Sequence, residues 1–239
     1  FPGAVNTLCI EAMMQDRKAL QAGTSHYLGQ NFAKSSNIKF LNQNSELEFA
    51  YTTSWGVSTR LIGGMIMTHG DDNGLRVPPR LAPKQVVIIP VIPKDEHRDA
   101  VMQYAQSIAA ELKSKFYHDS KLDVHVDARD IRGGDKNWQW IKKGAPIRIE
   151  VGPKDIENDA VVLYRRDQEP KDKIFLSRTE ACESVLKILD EIQANYFAQA
   201  LAYQKQHTHR DINSLDEFKA FFTPKNKNKP EIHGGFVIA

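Results

Sequence analysis

The sequence predicts an α/β protein in which a first part of strands and one amphipathic helix precedes a mixed-sheet α/β domain beginning near Lys84. Three observations carry this. "QVVIIPVI" is a near-continuous apolar run, as a strand buried on both faces requires. "RDAVMQYAQSIAAELKSKF" follows, repeating Val101, Tyr104, Ala105, Ile108, Leu112 and Phe116 at helical spacing. Ser177 and Glu180 then make a capping-box pair ahead of a long helix through Val185, Ile188, Leu189, Ile192 and Tyr196.

Taken in order, residues 5–14 and 46–53 are apolar and β-rich enough for strands, with a short helix near 27–36 between them. In "SWGVSTRLIGGMIMTHG", Leu61, Ile62, Met65 and Ile66 recur at i, i+1, i+4 and i+5. A helix starting near Ser58, with these four as its buried stripe, is expected. "GDDNGLRVPPRLAP" breaks all periodicity with Gly, Asp, Asn and three prolines, and reads as a rigid connection holding a domain boundary at 70–84. Beyond it, "KLDVHVD", "PIRIEVG", "AVVLYRR" and "KIFL" read as strands, and "DKNWQWIKKG" as a helix ended by Gly144. Residues 206–239 are polar and rich in Lys and Asn, with no core of their own.

Composition narrows the function classes. The chain has 239 residues, 41% apolar and 26% charged, the balance of a soluble globular protein. A net charge of +2 makes any RNA site a local patch rather than a property of the whole surface. No apolar run approaches the ~18 residues of a spanning helix, so no membrane partner is expected. Cys9 and Cys182 form no CxxC or Cys/His pair, which points to a reduced, cytoplasmic protein with no metal site. The opening "FPGAV" and closing "EIHGGFVIA" both look cut from something longer.

The chemistry concentrates in "ALQAGTSHYLGQNF", where Gln21, Thr24, Ser25 and His26 crowd around the small Ala22 and Gly23. Alone, the cluster reads as a polar turn capping a helix at Thr24 or Ser25. A Ser25–His26 nucleophile pair lacks an orienting acid, and no GxSxG elbow exists. His69, Asp71 and Asp72 tempt a metal reading, but in a Gly-rich loop they read as solvated turn residues. "TSWGVSTRLIGG" changes the weight of the first cluster. A Gly lets backbone approach a flat ligand, and Arg60 on the first turn of a helix offers a planar fork to phosphate beside free N–H groups.

A Gly-x-x-x-Arg at a strand–helix junction resembles motif 3 of class II aminoacyl-tRNA synthetases. "ALQAGTSHYLGQNF", "TSWGVSTRLIGGMIMTHGDDNGL", "VPPRLAP" and "GAPIRIEVGPKD", in this order, resemble the prolyl-tRNA synthetases of the archaeal and eukaryotic-like branch, from Phe1 to about Gln206. The resemblance implies that residues 1–83 are the C-terminal part of a class II catalytic domain, an antiparallel sheet with helices. Residues 84–205 would be an anticodon-binding domain, and 206–239 the start of a truncated C-terminal domain. It implies ATP contacts at Gln21, Thr24, Ser58, Thr59 and Arg60, with Arg60 as the catalytic clamp on phosphate. Proline would lie against His26, Trp55 and Gly56. ATP and Mg²⁺ are the implied cofactors, and tRNA(Pro), proline and a second copy in a homodimer the implied partners.

In the second domain, Trp138, Trp140, Lys142, Lys143, Arg148 and Lys154 interleave aromatics with cations, which suits a single-stranded loop. The alternative keeps both tryptophans in the core. By the resemblance, Arg148, Lys154 and Asp155, with Glu150 two residues along the strand, read the guanines of the proline anticodon. The expected chemistry is ligation of proline to tRNA through prolyl-adenylate. The first two class-defining motifs are missing from these residues, so the polypeptide alone is expected to be inactive. A non-catalytic, synthetase-like tRNA-binding module is the alternative.

Overall fold

In a computed structural model, residues 1–226, 228 and 232–238 are described. They form two compact units, residues 1–68 with 204–239, and residues 69–203.

In the first unit, β1 (Asn6–Met13), β2 (Ala19–Gly29) and β5 (Thr52–Gly56) make an antiparallel sheet in the order β1–β2–β5. A hairpin of β3 (Lys39–Leu41) and β4 (Leu47–Phe49) and the short α1 (Asn31–Ser35) lie between β2 and β5 in sequence. The polar stretch expected to cap a helix at Thr24 or Ser25 is therefore an eleven-residue strand. Hydrogen bonding to strands on both sides holds it extended, so it needs no apolar alternation of its own. Taking 27–29 into β2 also shortens the expected helix, and the strand expected at 46–53 divides between β4 and β5.

α2 (Arg60–His69) begins where expected, but its stripe is not buried. Leu61, Ile62 and Ile66 are exposed, and only Gly64 is buried, with Leu20 packed where a side chain would stand. Later in this unit come α7 (Leu215–Phe222), capped by Ser214 and Glu217, and the paired β13 (Thr208–His209) and β14 (Phe236–Val237). Residues 227, 229–231 and 239 of the expected 206–239 segment lie outside the described residues.

The second unit is built on a five-stranded mixed sheet in the order β12–β11–β10–β6–β9. β6 (Val86–Pro90), β9 (Val124–Val126) and β10 (Ile147–Val151) are parallel, while β11 (Ala160–Arg165) and β12 (Ile174–Ser177) run antiparallel. Its main core joins Val86, Ile88, Ile147, Ile149 and Leu163 to α3 (Arg98–Lys113) and α6 (Arg178–Gln206). On the opposite face Val87 and Ile89 pack against Trp140 and Ala145, with α4 (Gly133–Lys142) above. Every residue of β6 is buried, as its unbroken apolar run requires. The β7 (Phe116–Tyr117) and β8 (Ser120–Lys121) hairpin and α5 (Pro153–Glu157) complete the unit.

The connection at 70–84 packs as part of this unit rather than as a spacer. Asp71 accepts two hydrogen bonds from Arg166, at 2.8 and 2.6 Å, and lies 2.9 Å from the Arg76 guanidinium. Leu75 N–H donates to the Lys142 carbonyl at 3.0 Å. Gly144 ends α4 with φ +74, where a Cβ would stand 2.7 Å from the Leu75 carbonyl oxygen. Asp71 is thus an ion-pair hub and not a solvated turn residue. Arg166, almost fully buried, needs a buried counter-charge that the loop sequence alone does not reveal.

Candidate functional site

In the first unit, β2 presents its polar residues by alternation, interrupted once. Cys9 pairs with Thr24 and Thr7 with His26, so these side chains share a face. The register shifts between Ile10 and Glu11, leaving Ala22 unpaired as a bulge. This returns Gln21 to the face it would otherwise leave. Its amide donates toward Cys9 Sγ at 3.7 Å, and its Oε1 accepts from Arg60 Nη1 at 3.3 Å. Ser58 Oγ accepts from Arg60 N–H at 3.3 Å and helps start α2. Thr59 follows in the same turn, and its carbonyl accepts from Ile62 N–H at 3.0 Å. Gly56 pairs with Thr24 and, lacking a side chain, leaves the space beside its hydroxyl open.

His26 Nδ1 lies 2.9 Å from Thr7 Oγ1, and its ring stacks on Phe1 at 4.4 Å. Trp55 does not join it. Trp55 pairs with Ser25, on the other face of the sheet. There Leu8, Ile10, Trp55 and Val57 line an open apolar cleft of about 440 Å³. Ser25 and His26 therefore point to opposite sides of one strand, which removes the nucleophile pair. Gln21, Thr24 and Arg60 offer an amide, a hydroxyl and a guanidinium on one side, donors that fit a purine edge and a phosphate. Among the described residues no group of three His, Cys, Asp or Glu side chains is placed to hold a metal ion. Gln21, Thr24 and Arg60 fit part of a nucleotide.

In the second unit, Arg148 and Glu150 sit on β10, on the face covered by α4. Arg148 is 1% exposed. Its Nη1 donates to Asn137 Oδ1, its guanidinium lies 5.1 Å from the Tyr164 ring centroid, and its Nε and Nη2 have no hydrogen-bond partner. Burial pushes its pKa down to about 10, so it remains a cation at neutral pH. Asn137 passes the contact on by donating to Glu150 Oε1, and Tyr164 O–H donates to Glu150 Oε2 at 2.8 Å. Burial first, and then the Glu150 carboxylate, raise the Tyr164 pKa. A carboxylate offers about four lone-pair positions, so two remain on the half-buried Glu150.

Lys154 and Asp155 lie just past the C-terminal end of β10, on α5. Lys154 is exposed, while Asp155 Oδ2 accepts from Gly152 N–H at 2.8 Å. The structure thus gathers Glu150, Lys154 and Asp155 at one end of the sheet and places Arg148 beneath them. Sequence reasoning missed Asn137 and Tyr164. The alternation of "AVVLYRR" was the available signal, since Tyr164 pairs directly with Arg148.

The two tryptophans divide between the two expectations. Trp140 is buried and its Nε1 donates to Asp127 Oδ2 at 2.8 Å, while Trp138 is 44% exposed with the Lys142 ammonium 5.9 Å away. Asp127, fully buried, also accepts from Arg129 at 2.8 and 2.6 Å. Its burial opposes ionisation, yet the hydrogen bonds from Arg129 and Trp140 hold its pKa below the usual carboxylate range. Beside it, at the C-terminal ends of β6 and β9, Lys94, Arg98, Arg129, Arg132 and Lys136, with Asp95 and Asp130 both paired to Arg98, line an open cleft of about 620 Å³.

Residues 85–188 match the anticodon binding domain family. Over 239 residues, 100% of this chain and 47% of the relative, the sequence is 59% identical to a proline--tRNA ligase of Protochlamydia amoebophila. It is 54% identical over 243 residues to proline--tRNA ligase 2 of Anaeromyxobacter dehalogenans, covering 100% of this chain and 48% of the relative. A Bdellovibrio bacteriovorus proline--tRNA ligase is 50% identical over 230 residues, 96% of this chain and 46% of its own. The chain spans about half the length of these curated relatives. With a match to the anticodon binding domain family at residues 85–188 and identity of 48% to 59% from end to end, the chain is a homologue of proline--tRNA ligases over about half of their length.

Proposed function

We propose that this chain is part of a proline–tRNA ligase, a cytoplasmic enzyme that joins proline to tRNA(Pro) through prolyl-adenylate. The single observation that carries the reading is identity of 48% to 59% with proline--tRNA ligases across the whole chain. In this reading the first unit is the C-terminal part of a class II catalytic domain. Gln21, Thr24, Ser58 and Thr59 face ATP, and Arg60 offsets charge developing on its phosphates. His26 and Gly56 lie on that side, where proline would be activated. Trp55, on the opposite face, contributes to the apolar packing behind it. ATP and Mg²⁺ belong to the complete site, together with residues in the remaining half of a full-length ligase and a second copy forming the homodimer.

The second unit would bind the anticodon loop. Glu150 keeps two lone-pair positions with which to accept from a guanine N1/N2 edge, and Lys154 and Asp155 flank it. Arg148, too buried to reach a base, fixes Glu150 through Asn137. The basic cleft at the ends of β6 and β9 suits phosphate contacts.

The test is binding of this chain to tRNA(Pro) and to the same tRNA with its anticodon guanines replaced. Tighter binding of the unaltered tRNA is expected, and Glu150→Gln should cost roughly 5- to 100-fold of that preference. Equal affinity for both RNAs would remove the anticodon assignment. Proline-dependent ATP–pyrophosphate exchange by the polypeptide alone, which is not expected, would overturn the division of the catalytic site.

A further inference from the structure

The edge strand β12 carries an aromatic side chain that the fold itself does not use. Phe175 is 72% exposed, while its neighbours Ile174 and Leu176 turn toward the main core. It pairs with Val162, and Val162 pairs with Glu150, so the three stand in one row across successive strands on the face that carries α4. α4 packs over β6, Val162 on β11 is buried, and on the edge strand beyond it Phe175 stands open. Two strand spacings separate Phe175 from Glu150, about 10 Å. Lys171 and Lys173, both exposed with Asp172 between them, lie four and two residues before Phe175 in the chain.

We propose that Phe175 is a stacking platform for an unpaired base of the anticodon loop, next to the base whose edge Glu150 receives. This rests on the anticodon-binding reading above. The chemistry favours RNA over an apolar protein surface. A single exposed ring, cations two and four residues before it and a carboxylate with free acceptor positions in the same row suit a base face, a phosphate and a base edge in turn. Phe175 would thus add affinity with little sequence preference, because every base has a π-face, while Glu150 supplies the discrimination.

The experiment uses the full chain and an RNA hairpin carrying the proline anticodon in its loop, with 2-aminopurine placed in turn at each loop position. Phe175→Ala should weaken binding roughly 5- to 100-fold and abolish fluorescence quenching at one position. Phe175→Tyr should retain both. Phe175→Leu, which keeps apolar bulk without a π-face, should behave as Phe175→Ala does. Wild-type affinity in Phe175→Ala, or full restoration by leucine, would overturn the proposal. If Phe175→Ala did not fold, the tyrosine and leucine variants would still decide it. A wild-type chain with no preference for the hairpin over a fully paired duplex would instead sink the anticodon reading itself. A preference that survives Phe175→Ala removes only the role of Phe175.

Discussion

Strands β6, β10 and β11 of the second unit carry Ile88, Ile149 and Leu163 at 0% exposure, closed between the sheet, α3 and α6. Strands β1 and β5 of the first unit carry Leu8 at 68%, Ile10 at 71% and Trp55 at 78%. Both sheets are regular, so the contrast does not come from poor strand formation. It comes from the number of layers. The five-stranded sheet has helices on both faces within its own stretch of chain. The three-stranded sheet leaves one apolar face in water, and in relatives twice as long more sequence accompanies it. A sheet's hydrogen bonding and its burial are thus separable, and only the second unit combines both.

Substitutions can break or sharpen this contrast. The largest effect is expected inside the closed core. Leu163→Ala should cost about 4 kcal/mol in urea denaturation, while Leu8→Ala should stay within about 0.5 kcal/mol. Comparable losses at both positions would mean that the first sheet is covered in solution. Next is the ion-pair hub. Asp71→Ala strands the buried Arg166 and should cost about 3 kcal/mol.

The acid limb follows from the same residue. The hydrogen bond from Arg166, foremost, holds the Asp71 pKa below its ordinary 3.8. A folded-state pKa below the unfolded one means stability that is complete above about pH 4 and is lost as pH falls through the folded value. Asp71→Asn should flatten that limb in a melting-temperature series, and an unchanged limb would assign acid sensitivity to other carboxylates. The smallest effect belongs to the first unit. Arg60→Ala removes an exposed contact with Gln21 and should shift stability by less than about 0.5 kcal/mol. A larger loss would show that this contact holds β2 and α2 together.

How far the sequence could be read follows the same division. β6, α3, α4 and α6 were legible because each is built by a complete local signal, an apolar run, a helical period or a cap. β2 was not, because a polar strand takes its conformation from hydrogen bonds to β1 and β5, which leave no period in its own residues. The α2 stripe had the correct spacing, yet spacing reports which residues share a face and not whether anything lies against it. Asp71 was misread because its partner Arg166 is remote in sequence. In the candidate site, Glu150, Lys154 and Asp155 do gather at one end of the sheet. The burial of Arg148 escaped notice because it depends on α4 and Tyr164 closing over it.

The unpaired Ala22 has a consequence for how β2 can change. Side-chain direction along a strand is a matter of parity, and a one-residue slip reverses it. Because the pairing passes over Ala22, Gln21 stands opposite Glu11 on the side of Arg60, the side that Thr24 and His26 also face. Replacing Ala22 by another small residue preserves that arithmetic. Deleting it would leave Gln21 opposite Glu11 and two places from Thr24, on that same side, whereas drawing Ala22 into the ladder would turn Gln21 toward Leu8 and Ile10 with every contacting residue still present in the sequence. At this position the geometry is set by which residue the ladder passes over, and identity comes second.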